Sequence, residues 1–223
     1  AALAELDRLS GQAPLHGPLL AMLARECVAV FPEAAVVLMF ETAFFADLPH
    51  RERVYALEAG AAQRTGSRRY GFHGLLHEAA CAHAGEALRN RATGGLRALS
   101  ICLEPRPEVA AVAGGRPVMV TGGATPLDGI PGHGNCGHID PILALTLSER
   151  TRWGPEQVNR VLTERSGLSG LAGEPVTLGD LFQRQGASVE LAREVFCYRV
   201  LLACGAGMAA LGGVDAMVFS GRY

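Results

Sequence analysis

The sequence predicts an α/β layered domain. Three observations carry this: short apolar runs of strand length at residues 96–103, 108–113 and 117–121, helical patterns after them, and one further apolar run at 214–220. In chain order, residues 1–10 hold Glu5, Asp7 and Arg8 in a helical pattern. Residues 19–31 repeat apolar side chains at helical spacing and stop near Pro32, and residues 35–40 form an apolar run of strand length. Residues 74–90 read as an Ala-rich helix. Gly114-Gly115 marks a hairpin between the second and third strands, and the prolines at 105 and 107 suit a loop before it. Residues 121–140 are rich in Gly and Pro, the composition of a long irregular segment that carries function. Pro141 and Pro155 open two helices, at 141–150 and 155–164. Residues 188–211 form a long apolar helix in which Gly205 and Gly207 predict close backbone packing.

Composition excludes several chemistries. The 223 residues are 49% hydrophobic and 19% charged with net charge −2, which gives no reason to expect a nucleic-acid partner. The twenty basic residues are all Arg, so a phosphate loop ending in Gly-Lys-Ser/Thr and a Schiff-base lysine are both ruled out. Six cysteines with no Cys-x-x-Cys pair predict reduced thiols. The start lacks a signal-peptide pattern and no uninterrupted apolar run reaches membrane-span length, so a cytoplasmic protein with no membrane partner is expected. The missing initiator Met and the abrupt stop after residue 220 lead us to expect that both ends are cut.

Six segments, in order, carry a family resemblance: Ala13-Pro14-Leu15-His16, Phe40-Glu41-Thr42-Ala43-Phe44, Arg68-Arg69-Tyr70-Gly71-Phe72-His73-Gly74, Thr125-Pro126-Leu127-Asp128-Gly129, Gly137-His138-Ile139-Asp140-Pro141, and Ala210-Leu211-Gly212-Gly213-Val214-Asp215-Ala216. Together they resemble the acetate kinase family. The resemblance implies an actin/sugar-kinase-like (ribonuclease H-like) fold of two related domains. Residues 1–45 would end the first domain and residues 46–223 would form most of the second, truncated at its end. It also implies phosphoryl transfer between ATP and acetate or another short carboxylate, giving acetyl phosphate or its analogue, with Mg²⁺ and a homodimer.

By the same resemblance, His73 contacts the transferring phosphoryl group and His16 is a second active-site histidine. Glu41 replaces a family Asp that orients substrate and Mg²⁺, with one methylene more. Leu15, Phe72 and Pro126 match the apolar pocket for the acetate methyl group. Such chemistry needs fixed cations and hydrogen-bond donors, because negative charge spreads over the transferring oxygens.

Departures cluster on the nucleotide side. Asn135 replaces a catalytic Arg and cannot make charge-assisted bidentate contacts. The family's His-Leu-Gly-Asn-Gly phosphate loop reads Cys102-Leu103-Glu104-Pro105-Arg106: Glu104 repels phosphate, Pro105 has no N–H, and Arg106 restores charge with a different reach. The adenosine segment reads Thr177-Leu178-Gly179-Asp180 and keeps only its final Asp, Asp180. These replacements predict weak or absent catalysis. The alternative is a non-catalytic remnant that binds a small carboxylate or a partner subunit. His133, Cys136 and His138 are ligand-type residues in one loop, and His73 and His77 stand four apart on one helix face, but neither set has the usual structural zinc spacing. Arg68-Arg69 reads equally as an anion site or a solvated turn.

Overall fold

The computed structural model describes residues 2–9, 17–88, 95–104 and 106–222. The chain divides into two compact units, Ala1–Met39 and Phe40–Tyr223. The first holds α1 (Ala2–Leu9) and α2 (Gly17–Val30), with Leu6, Ala21 and Ala24 buried and Arg25 ion-paired to Asp7. The apolar run 35–40 is not a strand. No described strand lies beside it, and Val37 and Met39 are exposed.

The second unit is built on one four-stranded sheet: β1 (Arg97–Cys102), β2 (Glu108–Ala113), β3 (Arg116–Val120) and β4 (Ala216–Ser220), in the order β3-β2-β1-β4. β1 and β3 run antiparallel to β2, and β4 runs parallel to β1. Gly114 and Gly115 both take positive φ (56° and 81°), which makes the two-residue hairpin turn that suits strand twist.

Side-chain alternation sends successive residues of β1 and β2 to opposite faces. Leu99, Ile101, Val109 and Ala111 pack with α8 (Gly167–Ala172), α9 (Leu178–Gln183) and α10 (Ala187–Leu211). Ala98, Ala110 and Val112 pack with Phe45, Leu48 and Cys81 on the other face. Those three belong to a 3₁₀ segment (Glu41–Asp47), the residue after it, and α5 (Gly74–Ala87). The unit is thus a helix–sheet–helix sandwich. Each fully buried Leu or Ile stabilises it by about 1.5–3 kcal/mol.

Four more helices complete it: α3 (His50–Arg53), α4 (Ala59–Thr65), α6 (Pro141–Thr151) and α7 (Pro155–Glu164). Asp140 caps α6 by accepting from the Ile142 amide at 2.9 Å, and Pro141 fits the first turn, where its missing N–H costs nothing. Arg97 and Asp215 tie the starts of β1 and β4 together through a two-pronged ion pair (3.1 and 2.7 Å).

α10 differs from expectation at one glycine. Gly207 does allow close approach, since a Cβ there would sit 2.5 Å from Leu99 Cδ2, but a Cβ at Gly205 would meet open space. The helix is long and apolar enough to cross a membrane by length and composition, although Glu190, Arg193, Glu194 and Arg199 interrupt its apolar runs. One face of it is seated on the sheet through Phe196, Ala203, Cys204 and Gly207.

Candidate functional site

The turn that carries His73 is packed from two sides. His73 sits just before α5 with φ 53° and ψ 28°, a left-handed conformation that a non-glycine residue holds only when its surroundings enforce it. From one side comes the 3₁₀ segment. Glu41 Oε2 accepts from the Leu75 amide at 3.1 Å, so this carboxylate caps the first turn of α5. A Cβ on Gly74 would lie 1.9 Å from the Glu41 carbonyl oxygen, and one on Gly71 would enter the Phe45 ring. Glycine at both positions is what lets the turn lie flat on this segment. The sequence separates Glu41 and His73 widely, and the fold brings them to the same helix start.

From the other side comes β2. Glu108 is 3% exposed, and both its carboxylate oxygens accept from the Phe72 amide, at 3.0 and 3.1 Å. Glu108 Oε1 lies 3.3 Å from His77 Nε2, and His77 Nδ1 lies 2.8 Å from Ser100 Oγ. Burial pushes the Glu108 carboxyl up to about 8, against the nearby charge of His73 and the Phe72 hydrogen bond. Burial likewise holds the His77 imidazole down to about 4, opposed by Glu41. A neutral His77 bridges Glu108 and Ser100 through its ring nitrogens: with Glu108 protonated, its carboxyl donates to His77 Nε2 and His77 Nδ1–H donates to Ser100, and the opposite tautomer reverses both bonds. Sequence reading missed Glu108 and Ser100 and treated His77 only as a metal ligand. The available signal was the period-two pattern of β2, in which residues 108, 110 and 112 share an inward face.

The neighbouring loop is stitched alongside. Tyr70 N–H donates to the Gly123 carbonyl at 3.0 Å, and Arg69 Nη1 donates to the Thr121 and Gly122 carbonyls at 3.2 and 2.9 Å. Arg69 also pairs with Glu52 and Asp128, so it is a half-buried bracket rather than a solvated turn residue. This brings the half-buried Phe72 and Pro126 onto adjoining segments. Leu15, His16 and Pro105 lie outside the described residues.

The positions that the family resemblance leads us to expect on the nucleotide side are arranged differently. Cys102 is buried, its thiol donates to the Glu104 carbonyl at 3.1 Å, and burial raises it to about 11, so it stays a neutral thiol. Glu104 is buried too. Its Oε1 lies 3.6 Å from His133 Nε2, and its Oε2 has no hydrogen-bond partner among the described residues. Arg106 is exposed. Asn135 is buried in its own loop, with Nδ2 donating to the Ile130 carbonyl at 3.4 Å. Asp180 accepts from the Thr177 amide and hydroxyl at 2.7 and 2.8 Å, closing a capping box on α9 that holds its carboxyl below the usual range. Among the described residues no three His, Cys, Asp or Glu side chains gather as metal ligands. A separate open groove of about 510 Å³ runs between β3 and α10, lined by Arg69, Asp128, Arg199 and Leu202 among others, and neither Glu41 nor His73 lines it.

The fold is that of the actin-like α/β proteins. The crystal structure of Porphyromonas gingivalis acetate kinase matches it with a TM-score of 0.89 at 29% identity, over 96% of this chain and 54% of that one. A propionate kinase from Francisella tularensis matches with a TM-score of 0.90 at 28% identity, over 99% and 57%. Acetate kinase of Bacillus cytotoxicus is 34% identical over 221 residues, 98% of this chain and 55% of that protein. That of Dictyoglomus thermophilum is 32% identical over 211 residues, 93% and 53%. A family model described as the acetokinase family matches residues 1–222, and the chain belongs to that family. It spans about half the length of the curated relatives it matches.

Proposed function

We propose that this chain is the carboxylate-side part of an acetokinase whose phosphoryl transfer between ATP and acetate, or a close homologue such as propionate, is severely weakened. In this reading residues 1–45 end the first domain and residues 46–223 form most of the second. The observation that carries it is the His73 turn. It keeps a costly left-handed backbone under two independent carboxylate anchors, while the positions facing nucleotide hold a buried Glu104 and an inward-packed Asn135.

His73 would meet the transferring phosphoryl oxygens, and Phe72 and Pro126 would hold the short alkyl group. His16 and Leu15 would serve the same two roles by family resemblance alone. The Glu41 carboxylate is the kind of hard oxygen ligand that suits Mg²⁺, which would neutralise phosphate charge when bound. The segment around Glu104 does not suit nucleotide phosphates. A buried carboxylate with an orphaned oxygen stands where backbone amides would have to face an anion. Losing a fixed guanidinium at such a centre costs on the order of 10³-fold.

A hydroxamate trap for acyl phosphate, run on the full-length protein with ATP, Mg²⁺ and acetate, tests the reading. Expected turnover is at least about 100-fold below the roughly 10 s⁻¹ of a median enzyme. Turnover above about 1 s⁻¹ would contradict the weakening. A second reading, a carboxylate-binding subunit without catalysis, is favoured by the same Glu104 and Asn135 environment. The exposed Leu191, Tyr198, Leu201 and Met208 of α10 support a homodimer in either case.

A further inference from the structure

We propose that Glu108 is the positioning residue of the His73 turn, acting on it through the Phe72 amide with His77 and Ser100 as its backing. Ser100, His77 and Glu108 are linked in the order of a nucleophile triad, yet Ser100 and His77 are both 0% exposed and no substrate can reach that hydroxyl. On the side of the His73 turn Glu108 holds the Phe72 N–H with both oxygens.

The surroundings are fitted to that carboxylate. A Cβ on Gly122 would lie 2.0 Å from Glu108 Oε2 and 3.3 Å from the Gly71 Cα, so glycine at 122 leaves the space the carboxylate fills. Glu41 anchors the turn one residue beyond Gly74, and Glu108 anchors it one residue before His73. Glu108 thus fixes the Gly71–Phe72 peptide, directly ahead of the left-handed His73. Without Glu108 that peptide can rotate and let the turn relax toward an ordinary backbone conformation. The imidazole would swing with it. Besides His77, the charged groups near Glu108 are His73, Glu41 and Arg69. This inference rests on the reading of His73 as the group that meets the phosphoryl oxygens.

Amide hydrogen exchange on the full-length protein separates positioning from mere stability, with Phe72 as the probe and Leu99 and Ile101 in β1 as reporters of global unfolding. Glu108→Ala is expected to speed Phe72 exchange at least tenfold beyond any change at the β1 reporters. Glu108→Gln, which keeps an acceptor, is expected within threefold of the parent. Ser100→Ala, which removes only the backing, gives an intermediate increase and serves if the Ala variant fails to fold. Where the parent turns over, Glu108→Ala is expected to lower kcat tenfold or more with the acetate KM within threefold. Phe72 exchange that moves only in step with the β1 reporters overturns the proposal, as does an unchanged kcat. A parent with no turnover would count against the proposed reaction, while Phe72 exchange would still decide the role of Glu108.

Discussion

Glu108 and His77 are opposed titrating groups in one buried contact, and their shifts set how stability depends on pH. Burial raises Glu108 from 4.5 to about 8, so the folded protein holds a proton that the unfolded chain releases much earlier. That stabilisation is complete below about pH 4.5 and is lost as pH rises through about 8. Burial lowers His77 from 6.5 to about 4, so its contribution is complete above pH 6.5 and is lost as pH falls through about 4. Between 4.5 and 6.5 the two slopes oppose each other. From 6.5 to 8 only the Glu108 loss remains. The parent is therefore expected to lose at least about 2 °C in Tm between pH 6.5 and 8, the shift that about 1 kcal/mol makes in a protein of this size. Glu108→Gln should show a flatter profile in thermal unfolding over the same range. An equal drop in both proteins would mean that Glu108 is ionised well below pH 6.5.

At the scale of elements, α10 shows what its residue types do against a sheet. Gly207 faces Leu99, which is fully buried and has nowhere to retreat, so Gly207→Ala overpacks the seam and is expected to cost about 1–3 kcal/mol. Gly205→Ala meets no atom within 4 Å and should stabilise by about 0.5–1 kcal/mol through helix propensity. Denaturant midpoints of the two variants should move in opposite directions. The sequence named both glycines but not which one touches the sheet, because the two stand about 200° apart round the helix and both sides of it are apolar. The same limit explains other differences. β1, β2 and α5–α7 were legible from apolar periodicity, Gly/Pro punctuation and Pro at first-turn positions. The short α3, α4, α8 and α9 were not, since four to seven residues are too few to show a period. Residues 35–40 have strand composition, but a strand also needs a neighbour to hydrogen-bond, and no sequence window contains that information.

For the whole molecule, the motif-bearing residues were legible as types and their connections were not. His73, Phe72 and Glu41 stood out through the resemblance, yet the capping of α5 by Glu41 and the grip of Glu108 on Phe72 each join residues more than thirty positions apart. Asn135, Cys102 and Glu104 stood out as replacements, and their burial became visible only with the sheet and loops in place. The exposed apolar face of α10 gives a further expectation at this scale. Leu201→Glu in the full-length protein should shift the mass seen by light scattering from dimer to monomer. An unchanged monomeric mass in the parent would remove the dimer from the account. The proposed function sets a built carboxylate side beside a nucleotide side that does not suit phosphate. Calorimetric titration of the full-length protein with Mg²⁺-ATP and, separately, with acetate and propionate tests it most directly. Saturable carboxylate binding is expected, the two acids differing by no more than about 1–3 kcal/mol, with no saturation by ATP in the low millimolar range. Micromolar ATP binding that releases heat at one site per chain would contradict it.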